Sequence, residues 1–319
     1  MNDLVKARVD DVDAEIRRFV TAIHDGYRQF ADFDSLPLAE RRRAAEQVRA
    51  PWAEGGPRMW RSTDLSIAGR PARIHTPIEG DLRGALLYLH GGGWTMFSIN
   101  THDRLMREYA SRAQVIVVGL DYSLSPEARF PTALHDVIAA IDWLGRDGRR
   151  YGIDPRQLAV GGDSAGANLA IAAAIARRDA GTQDLKAMVL NYGAYATEFS
   201  AQSRRFDGPD YLLNTAEMDY FWRNYARNAG DYTNPLFAPI LANLTGLPPA
   251  NLTFGCCDIL AECNLAMADR LRAAGVPVLS NACRGATHSF LEAAAISSLA
   301  DRAIGQTSDW LRSTLAANL

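Results

Sequence analysis

From about residue 63 onward, short apolar segments alternate with longer segments of helical periodicity. The short segments are rich in β-branched residues, which is typical of strands covered on both faces. They predict strands at Asp64–Ala68, Ala72–Thr76, Ala85–Leu89, Val115–Leu120, Leu158–Gly161, Ala187–Tyr192, Leu252–Cys256 and Val276–Ala282. The longer segments predict helices at Thr101–Arg112, Ala133–Arg146, Ala165–Arg178 and Ala261–Ala274. This alternation predicts an α/β fold with a mostly parallel, doubly wound sheet, which binds ligands at the carboxyl ends of its strands. The first two strands are separated by only a short turn, so the sheet is expected to start antiparallel.

Two regions interrupt this alternation. Residues 1–58 are mostly helical in pattern, and residues 195–235 contain the aromatic-rich segment Tyr211-Leu-Leu-Asn-Thr-Ala-Glu-Met-Asp-Tyr-Phe-Trp222. We expect residues 1–60 and the insertion at about 195–235 to pack together as a helical cap on a catalytic domain of residues 61–319. The alternative is that each region is an extra helix on the flank of the sheet.

Composition narrows the class of protein. The 319 residues are 48% hydrophobic and 22% charged, with a net charge of −3, as in ordinary globular domains. This balance gives no electrostatic signature for nucleic acid or an anionic membrane. No apolar run has the length of a membrane span, and the polar start lacks the pattern of a signal peptide, so we expect a cytoplasmic protein. The four cysteines are expected to be buried, reduced thiols. Either a monomer or a homodimer is compatible with the sequence.

The segment Gly161-Gly-Asp-Ser-Ala-Gly166 lies where a predicted strand changes directly into a predicted helix. A G-x-S-x-G turn at such a junction holds the serine on a strained elbow with its hydroxyl exposed for attack on a carbonyl. Ser164 is therefore the candidate nucleophile. The alternative is a serine that only caps the helix.

The glycine run His90-Gly91-Gly92-Gly93-Trp94 directly follows the predicted strand Ala85–Leu89. Its backbone N–H groups can turn toward one point and form an oxyanion hole, which is completed by the N–H of the residue after the nucleophile, Ala165. We expect Gly92 and Gly93 to donate and Gly91 to permit the turn. A glycine loop needed only for folding is the alternative.

His288 and Asp258 are the candidate base and acid, because each follows a late strand in the order Ser…Asp/Glu…His. The acid would fix the tautomer of the histidine and stabilise its protonated form. Glu262 and Asp269 are rival acids on the next helix. His90 is expected to hold the glycine loop by hydrogen bonding, whereas His102 and His135 are expected to have core or surface roles in helices. Asp163, Asp121 and Glu127 are interpreted as residues that anchor loops.

The sequence contains no HExxH motif, Cys/His cluster, Walker loop or dinucleotide fingerprint, so neither a metal nor another cofactor is indicated. Four aromatic side chains are candidates for the wall of a substrate pocket, with packing inside the cap as an equally open alternative: Trp94, Tyr211, Phe221 and Trp222.

Several motifs together resemble those of the hormone-sensitive-lipase-like esterases, and two further segments resemble the bacterial acetyl-esterase branch. The first set is His90-Gly-Gly-Gly-Trp94, Asp121-Tyr-Ser-Leu-Ser-Pro-Glu-Ala-Arg-Phe-Pro131, Gly162-Asp-Ser-Ala-Gly166 and His288-Ser-Phe290; the second is Thr101-His-Asp-Arg-Leu-Met106 and Trp52-Ala-Glu-Gly-Gly-Pro57. The resemblance covers about residues 50–319 and implies an α/β-hydrolase fold with a helical cap. It also implies a triad of Ser164, Asp258 and His288 that hydrolyses short-chain acyl esters. The family usually has proline after the triad acid where this chain has Ile259, a change expected to loosen that loop.

The mechanism expected from these residues is hydrolysis of a small-molecule ester through an acyl-enzyme on Ser164. An acyltransferase, or an amidase or lactonase, would use the same triad. A ligand-binding receptor on the same fold is an alternative of a different class.

Overall fold

The computed structural model describes residues 11–80, 83–201 and 203–316. An eight-stranded sheet has the order β1-β2-β4-β3-β5-β6-β7-β8. Its strands are β1 Arg61–Ile67, β2 Arg70–Thr76, β3 Arg83–Leu89, β4 Ile116–Leu120, β5 Ile153–Asp163, β6 Leu185–Asn191, β7 Ala250–Gly255 and β8 Val278–Cys283. β1 and β2 pair antiparallel, as do β2 and β4, and all other neighbours are parallel. The predicted mostly parallel sheet with an antiparallel start is confirmed.

Eight α-helices surround this sheet in the described part of the chain: α1 Ala14–Arg28, α2 Leu38–Ala53, α3 Asp103–Ala113, α4 Thr132–Asp147, α5 Ala165–Asp179, α6 Thr215–Tyr225, α7 Ala261–Ala273 and α8 Ser298–Ala316. α3 and α8 pack against each other and against the sheet, and α4 and α5 form a second such pair. Covering both faces explains why β3 and β4 are apolar and buried along nearly their whole length and why every residue of β7 is buried. None of the described helices is long and apolar enough to cross a membrane.

The start of β5 differs from its prediction. The strand begins at Ile153 rather than at Leu158, because Ile153 pairs with Arg83 of β3 before the register shifts. Pro155 lies in this irregular part and interrupts the apolar pattern, which is where a sheet tolerates proline. The early part of the strand is therefore hidden from a search for apolar runs.

The parallel strands bring the candidate site together. β3, β5, β6, β7 and β8 run in the same direction, so the loops after their carboxyl ends lie along one edge of the sheet. The glycine loop, Ser164, Asp258 and His288 are all in those loops.

The N-terminal helices contact several of the loops on this edge. The apolar face of α1, formed by Ile16, Phe19, Val20 and Ile23, is buried. The N–H of Asp13 donates to the carbonyl of Gly285, in the loop after β8, at 2.9 Å. On α2, the Arg41 guanidinium donates to the hydroxyl of Tyr220 on α6 at 2.5 Å. The two regions that interrupt the α/β alternation are thus in contact.

Candidate active site

Ser164 occupies the sharp turn between β5 and α5. Its backbone has φ +53° and ψ −117°, a conformation that residues other than glycine rarely adopt. The turn passes close to β3: a Cβ at Gly162 would lie 2.2 Å from the carbonyl oxygen of Leu89, and one at Gly166 would lie 1.9 Å from it. Glycine is required at both positions for this reason. The N–H of Ser164 donates to the carbonyl of Asn191 at 2.9 Å, which anchors the turn to β6.

His288 and Asp258 form a continuous chain of hydrogen bonds with Ser164. His288 Nε2 lies 3.0 Å from Ser164 Oγ, and His288 Nδ1 lies 2.7 Å from Asp258 Oδ2. The second carboxylate oxygen of Asp258 accepts the N–H of Leu260 at 2.9 Å, so the acid is anchored although the proline typical of the family is missing. All three catalytic candidates are buried to at least nine-tenths of their surface. This is the geometry that acyl transfer by a serine nucleophile requires.

The rival acids are engaged elsewhere. Glu262 accepts hydrogen bonds from the hydroxyls of Ser200 and Ser203, and thereby connects α7 with the segment after β6. Asp269 pairs with Arg272 at 3.1 Å on the exposed side of α7. The structure places Asp258 alone of the three against His288.

The glycine loop forms a tight turn beside Ser164. The carbonyl of Gly92 accepts the N–H groups of Thr95 and Met96 at 3.0 and 2.8 Å. Among the described residues, none accepts a hydrogen bond from the N–H of Gly92, Gly93 or Ala165. Unpaired donors at these positions are what an oxyanion hole requires. The N–H of Gly91 instead points to His102 Nε2 at 3.3 Å.

The four candidate pocket residues occupy two kinds of environment. Phe221 is partly exposed, and its ring lies directly on Gly93, where a Cβ would be 2.2 Å away. Trp94 and Trp222 are buried with ring centroids 4.4 Å apart, and Trp94 also stacks on Tyr225. Tyr211 is buried against Phe206. Burial of these three side chains favours packing, the alternative that the sequence leaves open, whereas Phe221 alone reaches the partly exposed surface beside the glycine loop.

His90 supports the glycine loop, as its position in the sequence suggested. Its Nδ1–H donates to the carbonyl of Gly91 at 2.7 Å, and its ring stacks on Tyr122 at 4.4 Å between centroids. Burial, aided by the nearby His102, lowers the pKa of His90 to about 3, so the ring is neutral.

Arg42 on α2 is a supporting residue that the sequence analysis missed. Its guanidinium donates to the carbonyls of Thr95 and Ser125 and to both carboxylate oxygens of Glu127, each at 2.8 Å. It therefore joins the glycine loop to the loop after β4. The only sequence signal is an arginine-rich run, which by itself resembles an ordinary solvated helix face.

A second His–Asp pair lies behind the elbow. His102, just before α3, is buried with its Nε2 3.3 Å from Asp163 Oδ2. Asp163 also accepts the hydroxyl of Tyr88 at 2.8 Å. Burial alone would raise the pKa of Asp163, but the charge and hydrogen bonds of His102 and Tyr88 hold it below its usual range. His102 was expected to have only a core or surface role.

In the described part of the chain, no group of three or more His, Cys, Asp or Glu side chains could hold a metal ion. The four cysteines are free thiols.

Known proteins share both the sequence and the fold. A family profile described as the alpha/beta hydrolase fold matches residues 86–292. An arylesterase of Saccharolobus solfataricus is 31% identical over 88% of this chain and 92% of its own length. An ethyl acetate hydrolase of Pseudomonas putida is 35% identical over 76% of this chain and 79% of its own. Among solved structures, a hyperthermophilic esterase from Pyrobaculum calidifontis superimposes with a TM-score of 0.85 at 30% identity, covering 95% of this chain and 98% of that one.

These matches agree with the resemblance to the hormone-sensitive-lipase-like esterases inferred from the motifs. The sheet order, the elbow at Ser164 and the relatives all indicate the same class of protein. The chain belongs to the α/β-hydrolase-fold family and is a carboxylic ester hydrolase.

Proposed function

We propose that Ser164, His288 and Asp258 form the catalytic triad, with Gly92, Gly93 and Ala165 as the oxyanion-hole donors. The observation that carries this proposal is the unbroken chain from Asp258 through His288 to Ser164 Oγ, with contacts of 2.7 and 3.0 Å. The unpaired N–H groups of Gly92, Gly93 and Ala165 support the same assignment.

The reaction proceeds in two steps. His288 Nε2 takes the proton of Ser164 as Oγ attacks the ester carbonyl, and the backbone donors stabilise the oxyanion of the tetrahedral intermediate. His288 then protonates the leaving alcohol, so the C–O bond of the ester breaks and an acyl-enzyme remains. A water molecule then gives a proton to His288 and attacks the acyl carbonyl. The bond between the acyl carbon and Ser164 Oγ breaks as His288 returns that proton to Oγ, so the acid is released and Ser164 is restored.

We further propose that the substrates are short-chain, acetyl-like esters. The ring of Phe221 occupies the space directly beside Gly93, and therefore limits the room next to the reacting carbonyl. The aromatic cluster behind the loop, with Trp94 and Trp222, is packed without exposed surface. The similarity to an ethyl acetate hydrolase supports the same size range.

The proposed cap comprises residues 1–60 together with the insertion at about 195–235. Two contacts support its attachment over the site: α2 bonds to α6 through Arg41 and Tyr220, and Glu262 near the triad acid accepts Ser200 and Ser203. A cytoplasmic location is proposed on the four free thiols, which suit a reducing compartment.

Hydrolysis of p-nitrophenyl esters from acetate to dodecanoate tests these proposals, with Ser164→Ala as the control. We expect kcat/KM to be highest for acetate to butyrate and to fall steeply for longer chains. Preference for long chains would contradict the substrate class. Full activity in Ser164→Ala would contradict the mechanism.

A further inference from the structure

One buried imidazole bridges the glycine loop and the nucleophile elbow. His102 Nε2 lies 3.3 Å from Asp163 Oδ2, and the N–H of Gly91 is directed at the same ring nitrogen, also at 3.3 Å. Asp163 directly precedes Ser164, and Gly91 directly precedes the proposed oxyanion donors. A Cβ at Gly91 would lie only 2.4 Å from Asp163 Oδ2, so the loop backbone rests on this carboxylate. The position of the glycine loop relative to Ser164 therefore depends on the contacts that Asp163 and His102 make with each other and with Gly91.

The hydrogen-bond partners of Thr101 show that Nδ1 of His102 carries a hydrogen. The Thr101 hydroxyl carries a single hydrogen, which it donates to the carbonyl of Ser98 at 2.8 Å. The same hydroxyl oxygen lies 2.8 Å from His102 Nδ1, so Nδ1 carries a hydrogen and donates it to Thr101. Only Nε2 is left to gain or lose a proton. A protonated Nε2 donates to Asp163, whereas an unprotonated Nε2 accepts the N–H of Gly91 and presents a lone pair to the carboxylate.

The surroundings favour the charged ring. Burial by itself favours neutral imidazole, but the charge and hydrogen bond of Asp163 outweigh it and raise the pKa of His102 to about 8. The neighbouring His90 is neutral, and the nearby Arg49 is neutralised by Glu292 at 2.7 Å. The titratable and charged groups around His102 are Asp163 at the end of β5, Tyr88 on β3, His90 after β3, Asp121 after β4, Glu46 and Arg49 on α2, and Glu292 after His288.

We propose that His102 is a positioning residue whose imidazolium forms a buried ion pair with Asp163 and thereby fixes the glycine loop against the nucleophile elbow. When Nε2 loses its proton, Asp163 loses its charged donor, and the N–H of Gly91 remains as the only hydrogen-bond partner at that ring nitrogen. The oxyanion donors then shift relative to Ser164, and catalysis slows although the triad is intact. The inference rests on the proposed roles of Ser164 and the glycine loop.

The test compares His102→Gln with the wild type and with the control His135→Gln, which changes an exposed histidine on α4. Glutamine retains a donor but cannot become charged. Steady-state kcat and KM for p-nitrophenyl acetate are measured from acid to alkaline pH, with the spontaneous rate subtracted. We expect kcat of His102→Gln to fall about 10- to 100-fold at neutral pH with KM changed less than about threefold, because the oxyanion donors act mainly in the transition state. The wild type should lose kcat at alkaline pH, and this pH dependence should be absent from the variant. A variant with unchanged kcat and an unchanged pH profile would overturn the proposal.

Nitrogen NMR of histidine-labelled wild-type protein gives a readout that needs neither activity nor a folded variant. We expect one buried ring with hydrogens on both nitrogens at neutral pH, which loses one of them at alkaline pH. Only neutral buried rings at neutral pH would contradict the ion pair. Ser164→Ala separates the two proposals: retained activity there refutes the proposed function, whereas an inactive Ser164→Ala beside an unaffected His102→Gln refutes only this inference.

Discussion

Two His–Asp pairs flank Ser164. In each pair one ring nitrogen of the histidine contacts the aspartate, and the two pairs differ in what the remaining ring nitrogen contacts. In one pair, His288 contacts Asp258 through Nδ1 and leaves Nε2 facing the Ser164 hydroxyl, whose proton it can take. In the other, His102 contacts Asp163 through Nε2, and its Nδ1 faces a hydroxyl that already donates to Ser98. We therefore propose different functions for the same two residue types: proton transfer in the first pair and a fixed charge in the second.

The same substitution in both pairs gives the largest expected contrast. His288→Gln removes the proposed base, so kcat for p-nitrophenyl acetate should fall about 10⁵- to 10⁶-fold, as when the base of a serine triad is removed. KM should change little, because the lost interaction acts mainly in the transition state. The smaller loss expected for His102→Gln makes the comparison quantitative. Equal losses in the two variants would mean that the two pairs do not have separate functions.

The glycine loop carries the proposed oxyanion donors that the second pair is proposed to position, and Gly93→Ala tests this role. The backbone there has φ +58°, and the new methyl group would lie 2.2 Å from the ring of Phe221. Moving the loop should reduce kcat about 10²- to 10³-fold, the usual cost of losing an oxyanion donor. Gly145→Ala is the matched control, because nothing lies within 4 Å of that position on α4.

A double variant shows whether the loss in Gly93→Ala is steric. Phe221→Ala in the same chain removes the ring that the new methyl group would contact, and part of the lost kcat should return. No recovery would mean that the backbone conformation, rather than the contact, requires glycine.

Stability should depend on pH through the second pair. The pKa of His102 is raised to about 8 in the folded chain, above the value of about 6.5 for an unfolded one. The ion pair therefore contributes its full stabilisation from the acidic range where Asp163 ionises up to about pH 6.5, and it loses this stabilisation as the pH rises through the folded-state pKa of His102, a change of about 2 kcal/mol. Urea unfolding at pH 6 and pH 9 should show the wild type losing its advantage over His102→Gln at the higher pH. For the exposed control His135→Gln, the difference in unfolding free energy from the wild type should be the same at both pH values. If the difference for His102→Gln is also the same at both pH values, the ring of His102 is not charged.

The arrangement of the triad candidates was predictable because each follows a strand of a parallel sheet. Chain order and strand ends suffice to place Ser164, Asp258 and His288 on one edge. The supporting contacts were not predictable in this way. His102 meets Asp163 from 61 positions away, and Arg49 meets Glu292 from 243 positions away, so neither partner is visible in a local pattern. The burial of Trp94 likewise arises from stacking on Tyr225 of α6.

Phe221→Ala has the smallest expected effect and tests whether specificity lies outside both pairs. The ring lies against Gly93, and no described contact joins it to either His–Asp pair. Its removal should therefore leave the rate of p-nitrophenyl acetate hydrolysis nearly unchanged. The space opened beside the carbonyl should raise kcat/KM for hexanoate relative to acetate by about 10-fold, the value of a few methylene contacts. Trp143→Ala is a suitable control, because that partly exposed aromatic packs on Tyr151 at the opposite end of β5. If the ratio of kcat/KM for hexanoate to that for acetate stays constant, but kcat/KM for esters of larger alcohols increases, Phe221 limits the size of the leaving group instead of the acyl chain. If neither series changes, the ring only packs the cap onto the glycine loop, and specificity must come from other residues at the edge of the sheet.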